Sequence, residues 1–220
     1  LILADGKTMT LNGNTTGIDG GFNLTIYGQS LDDATAGTLR YNGSSRGISA
    51  NNYEQHSGNV SITTGSSVYG IIADVTLRGG TLTISADGDD ACAIYGYTHS
   101  ILGGQLTATA TGTNTIGIYA YANGGTAITL GWTRPADRIT VSSISTGGGT
   151  VAVADGQALT DGSGNIYTGT LSASVLGVFD AKTTLQPCLA LADAADNTAA
   201  IDAHADQTLA VALSGRTLFK

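Results

Sequence analysis

The chain has 220 residues, a formal net charge of −8, 12% charged residues and 41% hydrophobic residues. That length suits one large domain, or one domain with a smaller piece attached. The nine Lys and Arg are scattered, which argues against a nucleic-acid partner, and no apolar run approaches the ~20 residues of a membrane-spanning helix.

Gly, at 32 residues, is about twice its usual share. Three Lys and a single Glu, Glu54, leave little material for charged helix surfaces. The abundant Thr, Ile, Val and Tyr favour strands, so the composition predicts an all-β protein.

In chain order, Leu1-Ile2-Leu3-Ala4-Asp5 reads as the interior of a strand. With no initiating Met and no signal peptide, the chain reads as a mature or trimmed fragment whose targeting signal lies outside it. Thr8-Met9-Thr10-Leu11 and Asn23-Leu24-Thr25-Ile26-Tyr27 follow as strands, and Ser30 to Thr35 reads as an inserted loop. Two phrases then repeat. Gly47-Ile48-Ser49-Ala50 returns as Gly70-Ile71-Ile72-Ala73, Ala93-Ile94-Tyr95-Gly96 and Gly117-Ile118-Tyr119-Ala120, and its isoleucines step by 23, 23 and 24 residues. An alternating phrase keeps nearly the same period, with Leu39, Val60, Leu82 and Leu106 stepping by 21, 22 and 24.

A unit of this size cannot bury an apolar face alone, but it can when stacked on copies of itself. The expected fold is therefore a single-stranded parallel β-helix, or β-solenoid, with about 22–24 residues per turn and right-handed connections. Ile48, Ile71, Ile94 and Ile118 should form one interior column, and Leu39, Val60, Leu82 and Leu106 a second. Leu77 with Ile101 suggests a third. Gly-Gly pairs should turn the corners, and Thr83 and Thr107 should face outward. Ala127-Ile128-Thr129-Leu130 continues the stack before Gly131 to Arg138 interrupts it. There Trp132 and Pro135 read as packing in a late turn. Strand pattern resumes at Ile139-Thr140-Val141 and Val151-Ala152-Val153. From Thr183 the composition turns rich in Ala and Asp. The expected division is therefore 1–182 for the solenoid and 183–220 for a linker or short helix with the start of a C-terminal strand or truncated module.

Several stretches together resemble a known repeat type: "ILADGKTMTLNG", "NLTIYGQ", the Gly-Ile-Tyr-Ala rungs, and "ITLGWTRPADRI" running into "GTVAVADGQALTDGSGNIYTG". They resemble the β-helical repeat regions of large secreted or surface proteins of gut Bacteroidales described as adhesin-like or carbohydrate-binding-domain-containing. The terminal "SGRTLFK" resembles the opening of a module that follows such repeats. The resemblance implies a secreted or cell-surface bacterial setting. It carries over no catalytic residue.

Chemistry is sparse. Glycosidic hydrolysis needs two carboxyl groups across the bond, ~5–9 Å apart. The densest cluster, Asp87-Gly88-Asp89-Asp90, reads as a corner loop rather than a catalytic or Ca²⁺ site, while Asp19, Asp74 and Asp155 could meet other carboxylates in space but are not selected by spacing alone. His56, His99 and His204 are separated from one another and from any candidate nucleophile. His56 and His99 precede glycine corners and are expected at the surface. Cys92 and Cys188 share no metal-ligand spacing. Cys92 lies in an Ala-rich phrase and reads as a small buried hydrophobe, with pairing between the two cysteines left open. No catalytic residue, metal or cofactor is assigned.

Tyrosine is the residue type with a suggestive arrangement. Tyr95 and Tyr119 each follow a column isoleucine and should point outward on adjacent turns, with Tyr97 and Tyr121 two residues later. The result would be a two-by-two patch with rings about 5 Å apart between turns, on slots held one turn earlier by Ile72 and Asp74. Such rings suit sugars or a partner protein. The sequence thus points to a non-enzymatic extracellular solenoid, an adhesin-like or scaffold segment of a bacterial surface protein whose partner is a glycan or a surface protein. The alternatives are a carbohydrate-binding module using Tyr95, Tyr97, Tyr119 and Tyr121 and, behind it, a β-helical polysaccharide lyase or glycoside hydrolase.

Overall fold

A computed structural model describes residues 1–65, 68–171, 182–193, 200–201 and 216–218. Among them all regular structure is β, in sheets of twelve, nine and three strands. The two large sheets are mostly parallel, and the chain passes alternately through them. Thr38–Gly43, Asn59–Thr64, Thr81–Asp87 and Gln105–Thr111 lie side by side in one. Ile48–Gln55, Tyr69–Leu77 and the pair Cys92–Gly96 and His99–Ile101 lie side by side in the other.

Register gives the interior columns directly. Ile18, Ile48, Ile71, Ile94, Ile118 and Ile144 are successive partners. So are Met9, Leu39, Val60, Leu82, Leu106 and Ile139. Ile26, Gln55, Leu77, Ile101, Leu130 and Val153 form another, which contains the expected Leu77–Ile101 contact. Burying one such aliphatic side chain contributes roughly 1.5–3 kcal/mol, and from Leu39 to Val153 the aliphatic members of these three columns are buried.

The recurring Gly before the column isoleucine has a steric cause. A Cβ on Gly47 would strike Ile62 Cγ2 and lie 2.8 Å from the Gly70 carbonyl, and one on Gly70 would strike Ile84 Cγ2 and lie 2.6 Å from the Ala93 carbonyl. Ile62, Ile84 and Ala108 are register partners in the opposite sheet. The circuit that carries Ala93 in the glycine slot is the one in which Ala108 replaces the isoleucine. The two walls thus exchange one methyl group for a larger loss on the facing side. At the corners, Gly80 and Gly104 combine φ of +77° and +83° with the previous corner pressed against them, a Cβ on Gly104 lying 2.6 Å from the Gly80 carbonyl. Only glycine satisfies both demands.

Two circuits are longer than the rest. The loop before Ala36 and the loop from Trp132 to Asp137 project from circuits far apart in sequence, yet Arg134 Nη2 reaches Asp33 Oδ2 at 3.3 Å. Trp132 is buried, and its Nε1–H donates to the Ala158 carbonyl at 3.0 Å, which bears out its packing role. Beyond them the pairing changes sense. Thr183–Pro187 lies antiparallel between Arg138–Val141 and Leu159–Asp161. Leu189–Asp193 pairs antiparallel with Ala200–Ile201 and Arg216–Leu218 in the small sheet.

Replacing Gly70 by Ala should cost about 1–3 kcal/mol in urea unfolding, the usual penalty for overpacking. Combined with Ile84→Ala, the two effects should be non-additive by ~0.5 kcal/mol or more, because removing the isoleucine relieves the clash. Additive costs would show that the two walls do not meet there.

A candidate ligand-binding face

The outward surface of the twelve-stranded sheet carries the tyrosines. Tyr95 and Tyr119 are register partners, directly over column residues Ile94 and Ile118. Their rings stack with centroids 5.5 Å apart and 17° between planes. Tyr95 also stacks with Tyr121 at 5.5 Å, and Tyr97 meets Tyr121 edge-on at 4.9 Å and 89°. A fifth ring, Tyr69, touches Tyr95 at 4.8 Å. Close packing desolvates the Tyr95 phenol first of all and, with its ring neighbours, holds its pKa above the ordinary 10.0. Tyr97 and Tyr121 are 45% and 42% exposed, whereas Tyr69, Tyr95 and Tyr119 are half-buried.

Beside these rings lies an open groove of about 380 Å³. It is lined by Tyr95, Tyr97 and Tyr121 together with Asn51, Asn52 and Asp74, and by Ile72 and Gly96. Tyr119 stands behind Tyr95 and does not line it. Among the described residues that line the groove, Asp74 is the one charged group.

The groove follows from a bend that changes length from circuit to circuit. The column positions Ile71 and Val75 are four residues apart, their partners Ile94 and His99 five, and the next partners Ile118 and Ile128 ten. Tyr69–Leu77 therefore runs straight through, the next circuit breaks at Tyr97 and Thr98, and the one after bulges out from Tyr121. Asp74 fixes the break from outside. Its Oδ1 accepts the Tyr97 and Thr98 amide hydrogens at 2.7 and 3.1 Å.

His99 fixes it from inside, which corrects the surface position expected for it. It is 2% exposed and occupies the interior slot of Val75 and Ile128. The Val75 amide donates to its Nδ1 at 3.2 Å, so the proton sits on Nε2, which donates to the Tyr119 carbonyl at 3.0 Å. One imidazole thereby ties three circuits together. Desolvation drives its pKa below the ordinary 6.5, the Tyr119 carbonyl and Asp74 opposing in part. His56, half-exposed, stacks on Tyr27 at 4.7 Å, and His204 lies outside the described residues.

The other sequence candidates resolve into structure. Asp90 and Asn114 share a left-handed backbone, φ 58° and 56°, two residues before the register partners Cys92 and Ile116. The Asp87–Asp90 corner thus recurs as Thr111–Asn114, so its geometry needs no carboxylates. The Thr111 hydroxyl donates to Asp87 Oδ1, and the Thr113 amide donates to Asp89 Oδ1 at 2.8 Å. Cys92 and Cys188 are both buried and not disulfide-bonded, and burial pushes the Cys92 thiol up to about 12. Asp161, whose loop the sequence did not single out, accepts Ser163 and Asn165 amides and the Tyr167 hydroxyl, a self-satisfied turn.

No protein-family model, curated protein or solved structure matches the chain.

Because folded His99 binds its proton more weakly than the unfolded chain does, the unfolded state gains protons first on acidification. Stability should be fully present above about pH 6.5 and decline as the pH falls below it. His99→Gln, which can still donate and accept, should flatten that decline in urea titrations across the range. An unchanged slope would mean that His99 titrates normally.

Proposed function

We propose that this protein is a non-enzymatic, right-handed parallel β-helix that serves as an adhesin-like segment of a secreted or surface-exposed bacterial protein, holding glycan in the tyrosine groove. What supports the fold reading is register: the column isoleucines Ile48, Ile71, Ile94, Ile118 and Ile144 each have their partner one circuit away, in parallel sense. The bacterial-surface setting rests on the resemblance of the repeat phrases.

One observation carries the binding reading. Aromatic rings share an open groove with two amides and a carboxylate, and the groove is of the size that small ligands occupy. Tyrosine offers apolar area for the C–H face of a sugar with little rotamer entropy to lose. Asn51, Asn52 and Asp74 offer donors and acceptors for hydroxyls. Asn52 Nδ2 donates to Asn23 Oδ1 at 2.8 Å, so its orientation is fixed before any ligand arrives. With Asp74 the sole charge among the described residues of its lining, the groove suits neutral sugars over uronates, sialic acids or sulfated chains.

Hydrolysis is disfavoured by the carboxylates themselves. Asp74 spends one oxygen on two backbone amides. Glu54, on the neighbouring strand, is held below the ordinary 4.5 chiefly by its hydrogen bond from Arg78, the opposite of what a proton donor needs.

A glycan array containing neutral and acidic structures should light up at neutral members. Tyr97→Ala/Tyr121→Ala should weaken that binding on the order of tenfold or more, at ~1 kcal/mol per lost ring contact. Both rings are on the surface, so unfolding behaviour should change little. Binding that survives the double substitution, or an array silent throughout, would end this reading.

A further inference from the structure

A second depression of about 340 Å³ opens on the same sheet face, lined among others by Thr25, Asn52, Glu54, Thr76 and Arg78. Asn52 lines both hollows. Register explains why they adjoin. Asn52 pairs with Asp74, and Glu54, two residues on, pairs with Thr76. Alternation sends all four to one side, ~7 Å apart along the strand. From the circuit of Thr25 to that of Tyr121 there are four inter-strand steps, about 19 Å at ~4.8 Å each. That is long enough for several linked sugars.

The far hollow is polar like the near one, but it carries an ion pair where the near one has a lone carboxylate. Arg78 Nε donates to Glu54 Oε1 at 2.7 Å, and His56 Nε2 lies 3.3 Å from the same oxygen. The guanidinium charge is therefore matched, while its remaining N–H groups stay in reach of solvent, the side chain being 49% exposed. Next to this pair, Tyr27 lies flat on His56 with 11° between planes and is 43% exposed. An aromatic platform thus stands at each end of a polar floor.

We propose that the two hollows are one extended site for a neutral oligosaccharide chain, whose distal units cross Asn52 from the tyrosine groove to the Arg78–Glu54 pair and the Tyr27–His56 platform. This rests on the tyrosine groove being a glycan site. It adds that the ligand is internal polymer rather than a single terminal sugar. The matched Arg78–Glu54 pair hydrogen-bonds hydroxyls without attracting anionic chains.

The test is calorimetry of the intact chain with cello-, manno-, xylo- and malto-oligosaccharides, each from disaccharide to hexasaccharide. For the series that binds, affinity should climb about tenfold or more with chain length before levelling. Arg78→Ala and Tyr27→Ala, both surface changes, should each erase most of that climb. Tyr97→Ala/Tyr121→Ala should instead weaken every length. Affinity independent of length, or a climb that persists in Arg78→Ala and Tyr27→Ala, overturns the extended site and leaves the tyrosine groove standing. Failure of every length to bind overturns both.

Discussion

The hydrogen-bonded parallel ladder governs everything else in this molecule. Once a backbone amide of one circuit is bonded to a carbonyl of the next, each side chain must lie ~4.8 Å over its counterpart. Ile71 has no choice but to touch Ile48 and Ile94. The same rule acts outside the walls, where it brings the rings of Tyr95 and Tyr119 to 5.5 Å. A core and a ring stack are thus two faces of one spacing. The rule also fixes what is forbidden: a corner stacked on a corner leaves no space for Cβ at Gly104, and a wall facing Ile84 leaves none at Gly70.

Because the ladder converts sequence distance into contact, the parts of the fold that obey a constant step were legible in the sequence. The isoleucine and leucine columns, the Gly-Gly corners and the outward Tyr95–Tyr119 pair all follow from a step of about 23 residues and strand alternation. What departs from the step was hidden. Tyr69 shares the parity of Ile71 and so reads as inward, yet it opens its strand at a corner and its ring meets Tyr95 instead. His99 was misplaced for a different reason. Its nearness to glycine suggested a corner, but it stands two residues before buried Ile101 on the same strand, and that parity puts it inside.

The groove itself was not legible, because no residue type encodes it. It comes from a bend that takes five, four, five and ten residues between fixed column positions on successive circuits. Counting those intervals is possible only when both columns flanking the bend are known, and the second of them contains Tyr53, Val75 and His99, which share no chemistry. A column so mixed does not show up as a repeat. The circuit of Tyr53 shows how the protein tolerates this: its buried hydroxyl donates to Gln55 Oε1 at 2.6 Å, and Gln55 Nε2 donates onward to the Gly58 and Thr81 carbonyls. Here the polar groups of Tyr53 and Gln55 are satisfied locally, so the register holds while the side chains change.

The clamp at the bend also bears on how a ligand would be held. Asp74 is at once a structural acceptor for Tyr97 and Thr98 and a wall of the groove. Its carboxylate is therefore already oriented, as are the Asn52 amide and the stacked ring of Tyr95. Among the described residues of the groove's lining there is no long charged side chain that would have to be ordered on binding. A weak polar contact yields more affinity when the protein group making it has no entropy left to lose. The low charge of this chain and its ladder of outward side chains thus act in the same direction: a face whose polar groups stand at intervals set by the backbone, as the proposed uncharged polymer would require.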